Sequence, residues 1–159
     1  MRAVTRTSVI VLILAATATT SAQRIPSSLV GMWRMAVAQS TFDPGPGPAS
    51  QIMKIERSGA DAVTITSDMM NADGQAQHTV RTTQFDGIDV HVQGGLPGGT
   101  QAFSWIDDRT YQIVGKIDGR PRMTTRATIS PDGKTITIVA TGTNAQGQPV
   151  HNLVVFEKR

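Results

Sequence analysis

The fold is decided by one continuous stretch: Thr110-Tyr-Gln-Ile-Val-Gly-Lys-Ile117, then Asp118-Gly119-Arg120-Pro121, Arg122-Met-Thr-Thr-Arg-Ala-Thr-Ile-Ser130, Pro131-Asp132-Gly133-Lys134 and Thr135-Ile-Thr-Ile-Val-Ala-Thr-Gly-Thr143. Three runs rich in Thr, Val and Ile are separated by Asp-Gly turns. Thr, Val and Ile fit a pleated surface, and Asp-Gly supplies the backbone of a tight reversal. Consecutive antiparallel hairpins follow. In this stretch Tyr111, Ile113 and Ile117 share one face with Gly115 between them, and Ile136 and Ile138 lie together opposite Thr135 and Thr137.

The same punctuation extends in both directions. Gln51 to Arg57 pairs with Ala62 to Met70 across Ser58-Gly59-Ala60-Asp61, and Asn71-Ala72-Asp73-Gly74 turns the chain into Gln75 to Gln84. Ile88 to Val92 follows, with Ile88, Val90 and Val92 alternating with Asp89 and His91. Thr100 to Ile106 pairs with Thr110 to Ile117, and Pro149 to Lys158 closes the set. Gly31 to Gln39 reads as the first strand, with Trp33, Met35 and Val37 on one face. Ser40 to Pro48 carries three alternating prolines, which cannot donate ladder hydrogen bonds, so it reads as an extended crossing loop anchored by Phe42. The expected architecture is all-β, an antiparallel up-and-down barrel of about eight to ten strands.

Residues 1–22 have a different character. Arg2 and Arg6 precede the apolar run Val9 to Ala16, and Thr20-Ser21-Ala22 supplies small residues for a cut after Ala22. These are the three parts of a secretory leader, and the apolar run is shorter than the roughly 20 residues a bilayer requires. The expected product is residues 23–159, a single lipocalin-like domain with no membrane span, secreted or periplasmic. Gln23 to Ser28 is expected as an exposed lead-in. Removal of the leader lowers the formal charge from +3 to +1, leaving 13 basic against 12 acidic residues. Arg120, Arg122 and Arg126 are the densest basic group and read as a solvated strand face, not a nucleic-acid surface. With no cysteine, the domain is held by burial and strand pairing alone.

No catalytic, cofactor or metal constellation stands out. His78, His91 and His151 lie on three separate strands, with His91 and His151 on outward faces. Asp73, Asp86, Asp107, Asp108, Asp118 and Asp132 all sit in turns, where Asp is the ordinary occupant. The glycine-rich segment Gly94 to Gly99 lacks the Lys-Ser or Lys-Thr and the helix of a phosphate loop. Polar residues on otherwise apolar faces, such as Asn152 and Thr125, point to an interior holding water or a ligand in place of a solid core.

Gly31-Met32-Trp33, running into Ser40-Thr41-Phe42-Asp43-Pro44-Gly45-Pro46, resembles the Gly-x-Trp signature of lipocalins and the wider calycin group. Ser130 to Thr137 and Gly142 to Val150, ending in Val155-Phe156-Glu157-Lys158, extend that resemblance to small secreted bacterial lipocalin-like proteins. The resemblance implies an up-and-down barrel with Trp33 at its closed end and a C-terminal cation over the Trp, for which Lys158 and Arg159 are the candidates. It also implies binding of a small apolar molecule. The expected wall residues are Met35, Ile113, Ile138 and Val154, with Trp33 and Phe156 closing one end.

Two readings stand beside it. Phe103 and Trp105 share one face of a strand, opposite Ala102, Ser104 and Ile106. Pointing inward they would line a pocket; pointing outward they would form an apolar patch, as a filled barrel serving as an envelope or extracellular interaction module requires. A calycin-like enzyme would need titratable groups converging inside, with His78 and Asn152 or Tyr111 as the first candidates.

Overall fold

The computed structural model describes residues 25–159, so the leader-like segment 1–22 lies outside the described residues. Eleven strands follow one another: β1 (Gly31–Met35), β2 (Thr41–Asp43), β3 (Ser50–Arg57), β4 (Val63–Met70), β5 (Ala76–Thr83), β6 (Asp86–His91), β7 (Gly99–Trp105), β8 (Thr110–Ile117), β9 (Arg120–Ile129), β10 (Thr135–Thr143) and β11 (Pro149–Lys158). Ten of them form one antiparallel wall in the order β5-β4-β3-β1-β11-β10-β9-β8-β7-β6. Apart from the β1–β11 closure and the step from β1 to β3, each strand pairs with its neighbour in sequence. This is the expected up-and-down barrel.

Closure is incomplete at one place. No ladder joins β5 to β6; past the end of β6 an isolated bridge ties Val80 to Gln93, whose amides each donate to the other's carbonyl at 3.0 and 2.9 Å. The remainder of that boundary is a seam in the wall.

The first strand ends earlier than the alternation predicts. Beyond Met35 the chain enters a single 3₁₀ turn over Val37–Gln39, and Val37 is exposed instead of sharing the face of Trp33 and Met35. The turn closes through Gln39 N–H to Ala36 O and Ser40 N–H to Val37 O, and the Ser40 hydroxyl donates to Ala36 O. Only the later part of the proline-rich segment is a loop: Thr41–Asp43 pairs with β11, setting Phe42 opposite Asn152 and packed against the core. Among the described residues of the lead-in, Ile25 is buried, Pro26 and Ser28 are half-buried and Ser27 is exposed, so the segment is partly packed. Leu29 is also buried, and Arg57 donates to the carbonyl of Ile25.

Register lines up the inward faces. Trp33 lies opposite Met53 and Lys158, Ile136 opposite Phe156 and Ile129, and Tyr111 opposite Ala127 and Trp105. The inward residues change character along each strand. β3 runs Ile55, Met53, Gln51; β4 runs Val63, Ile65, Ser67; β8 runs Tyr111, Ile113, Gly115; and β11 runs Phe156, Val154, Asn152. Apolar bulk therefore fills the end near Trp33, while polar or small residues occupy the other.

Candidate functional site

The filled end is built around Trp33, which is fully buried and donates from Nε1 to the carbonyl of Leu29 at 2.9 Å. Lys158 crosses this end. Its Nζ lies 5.1 Å from the centre of the Trp33 ring and donates to Ser28 O at 2.7 Å. Of the two cations the resemblance offered, Lys158 is the one over the Trp. Gly31 makes room for it: at φ 138° it sits where side chains are disfavoured, and a Cβ there would lie 2.9 Å from Lys158 Cε. The Gly-x-Trp motif thus has a local cause in the path of the lysine.

The opposite end holds a cavity of about 680 Å³, within the range of small-molecule sites. Gln51, Ser67, Thr79, Arg81 and Gln101 face it from the wall, and Leu96 and Pro97 of the glycine-rich loop stand at its mouth. Among the described residues no Asp or Glu lines it, whereas Arg81, Lys116 and Arg122 do. Lys116 is already paired with Asp89 at 2.7 Å, and Arg122 is exposed at the mouth. Arg81 is the cation within the barrel.

Arg81 reaches the interior because the β4–β5 hairpin sets it opposite Ile65, whose side chain belongs to the core. Its guanidinium lies over the Phe103 ring, 5.9 Å from the centre, and donates from one Nη to Thr79 Oγ1 at 3.3 Å. Its Nε has no hydrogen-bond partner. Burial lowers its pKa to about 10, with the facing Tyr111 acting in the opposite direction. Burial likewise pushes the Tyr111 phenol up to about 12. At neutral pH the interior thus carries a guanidinium cation beside a neutral phenol. Thr100 Oγ1 and Gln101 Oε1, also on the cavity, are buried without partners. A buried polar atom left unpaired costs about 1–3 kcal/mol; three such atoms lie on the cavity, and a fourth, Trp105 Nε1, lies away from it against Phe85 and Tyr111.

A second chamber of about 150 Å³ lies deeper and is lined by Ile113, Ile138, Val154 and Phe156, four of the expected wall and closure residues. Met35 and Trp33 sit instead within the packed core and line neither space. Arg81 and Gln51 border both chambers.

Of the two orientations left open, the structure takes the inward one for Phe103 and Trp105, so the outward patch is absent. Phe103 is fully buried, and Trp105 stacks on Phe85 at 4.8 Å and meets Tyr111 edge-on. The proposed enzymatic group does not assemble. His78 is exposed and bonded to Asp68 at 2.6 Å, Tyr111 lies inside the barrel, and Asn152 accepts from the Asp43 amide. His91 and His151 are exposed. Among the described residues no three His, Cys, Asp or Glu side chains gather as a metal site, and no helix is long and apolar enough to cross a membrane.

Arg81 was not singled out from sequence. β5 alternates polar residues on both faces, with Gln77, Thr79, Arg81 and Thr83 against His78, Val80 and Thr82, so periodicity gives it no inside. The usable signal was register: the tight Asn71–Gly74 turn fixes Arg81 against Ile65.

A nearly closed, antiparallel up-and-down β-barrel of lipocalin-like fold, with open space at one end, is the architecture these features define. The fold is shared with a solved structure. A point mutant of the fluorescent protein UnaG aligns with a TM-score of 0.58 at 14% identity, over 83% of this chain and 96% of its own. The siderocalin Ex-FABP, described as functioning through dual ligand specificities, aligns over 84% of this chain and 75% of its own at 12% identity, with a TM-score of 0.43. No protein-family model and no curated protein matches the sequence.

Proposed function

We propose that the protein binds a small amphipathic molecule non-covalently inside the barrel, with an anionic group of the ligand, a carboxylate or its equivalent, held by Arg81. The observation that carries this reading is a buried guanidinium with an unpartnered Nε in a cavity whose described lining contains no carboxylate. A buried charge is ordinarily paired, and guanidinium geometry suits a planar anion. The apolar ligand expected from sequence is thereby refined to one with an apolar body and an anionic group. Binding takes place outside the cytoplasm, after loss of residues 1–22; support for this part is the leader-like composition of that segment.

Isothermal titration with octanoate and octanol tests the site. Octanoate should bind at least about tenfold more tightly than the alcohol, a difference of about 1.4 kcal/mol, and Arg81→Gln should erase that preference. Equal affinities in the unaltered protein would refute the role of Arg81. Native mass spectrometry of protein recovered from the host's extracytoplasmic fraction should give a chain beginning after Ala22 that carries extra mass released on denaturation.

The filled-barrel alternative loses both of its requirements, since the interior holds two chambers and Phe103 is buried.

A further inference from the structure

We propose that the inner chamber is a separate subsite for one compact apolar group about the size of a benzene ring, lying behind the Arg81 position; the proposal rests on the reading of the barrel interior as a ligand site. The chamber has a volume of about 150 Å³ and is walled by Met53, Ile65, Ile113, Ile138 and Val154, with the Phe103 ring on one side. Wholly apolar cavities of about this volume admit benzene or xenon; here Tyr111 and Phe156 complete the aromatic side, and Gln51 and Arg81 border the opening.

Its position argues against a general looseness of packing. The inward residues toward the closed end, including Trp33, Ile55, Ile129 and Ile136, are fully or almost fully buried and form one continuous core. The gap is confined to the level between that core and Arg81. Its lining comes from seven strands, β3, β4, β5, β7, β8, β10 and β11, whose backbones are held in register by ladders. Polar character begins at its outer border: Gln51 and Arg81 line this chamber and the larger one alike.

A ligand using both features carries its anion next to a compact apolar end. The ring enters the inner chamber, the carboxylate stays at Arg81, and any further substituent extends toward the mouth. A linear alkanoate chain is narrower than a ring, so it fills the inner chamber less completely and gives up more rotamer freedom on entering it. The ligand class is therefore an arylalkanoate or a comparably compact acid in preference to a linear fatty acid.

The test uses benzene, octanoate and phenylacetate, the last two matched at eight carbons, with methyl-resolved NMR on the unaltered protein. Benzene should give saturable shifts at the methyls of Ile113, Ile138 and Val154, with xenon perturbing the same set. Phenylacetate should bind at least about tenfold more tightly than octanoate. Absence of saturable shifts with both benzene and xenon overturns the subsite, and octanoate binding in that case leaves the Arg81 reading intact. Benzene binding at these methyls with neither acid bound sinks the Arg81 reading and keeps the chamber as a neutral apolar site. Octanoate equalling phenylacetate overturns the ligand class. Val154→Phe, which fills the chamber, should abolish the benzene shifts; persistence of those shifts at other methyls would place benzene elsewhere and overturn the proposal.

Discussion

Both ends of this barrel hold a cation against an aromatic ring, and they use it differently. At the closed end Lys158 lies over Trp33 with its ammonium bonded to the carbonyl of Ser28, and Trp33 Nε1 is bonded to Leu29. Farther along the barrel Arg81 lies over Phe103, but its Nε has no partner. The first arrangement is complete within the chain and contributes stability. The second bears the desolvation cost of a charge without the compensation a carboxylate would bring. Such incompleteness is expected where a site must be finished by something else, since stability and binding make opposing demands on the same residue.

The largest test of this contrast is Trp33→Ala. Removing a fully buried Trp should cost about 3–5 kcal/mol, measured by urea denaturation, and a loss below about 1 kcal/mol would mean that the closed end is not the anchor. Arg81→Met should move the two properties in opposite directions. Carboxylate affinity falls at least about tenfold by calorimetry, while stability rises by about 1 kcal/mol, because an apolar side chain of similar length carries no charge to desolvate. A parallel loss of both would show that Arg81 is structural and would abolish the distinction between the ends. Lys158→Met should cost about 1–2 kcal/mol through the lost charge-assisted bond to Ser28 and the contact with Trp33, with carboxylate affinity unchanged.

The smallest effect belongs to turns outside the comparison. Backbone hydrogen bonds from Arg109 hold the Asp107 carboxyl below its ordinary value, and the Ser130 hydroxyl and Lys134 amide do the same for Asp132. The folded form thus favours the carboxylate, so this contribution is present above the ordinary pKa of 3.8 and lost as pH falls through the lower folded values. Asp132→Asn should flatten the fall in melting temperature below about pH 4. An unchanged acid limb would remove the turn from the account.

How far the sequence could be read depended on which physical signal each segment carried. The Asp-Gly turns and the alternation of Tyr111, Ile113, Ile136 and Ile138 put the strands and their inward faces in place, because period-two patterning works wherever one face is apolar. The first strand was read too long, since Val37 continues the pattern although the backbone has already turned. Phe103 and Trp105 could not be oriented from β7 alone, where Ala102, Ser104 and Ile106 offer an equally plausible inside; pairing of Phe103 with Ile113 decides it. Arg81 lay beyond periodicity altogether, because polar residues occupy both faces of β5 and only the pairing partner distinguishes them. Inward polarity at Asn152 and Thr125 does not locate the interior space, since neither lines it and Asn152 is engaged by the Asp43 amide.

The seam between β5 and β6 gives the molecule a preferred mode of deformation. Every other boundary of the ten-stranded wall is stitched by a ladder, whereas this one is fastened by the Val80–Gln93 bridge beyond the turn at Phe85. A cylinder slit along most of one side resists squeezing along its axis yet yields circumferentially, as a split ring does. Arg81 sits one residue from that fastening, so widening the slit changes the span across the cavity at Arg81 before it disturbs the distant Trp33 plug.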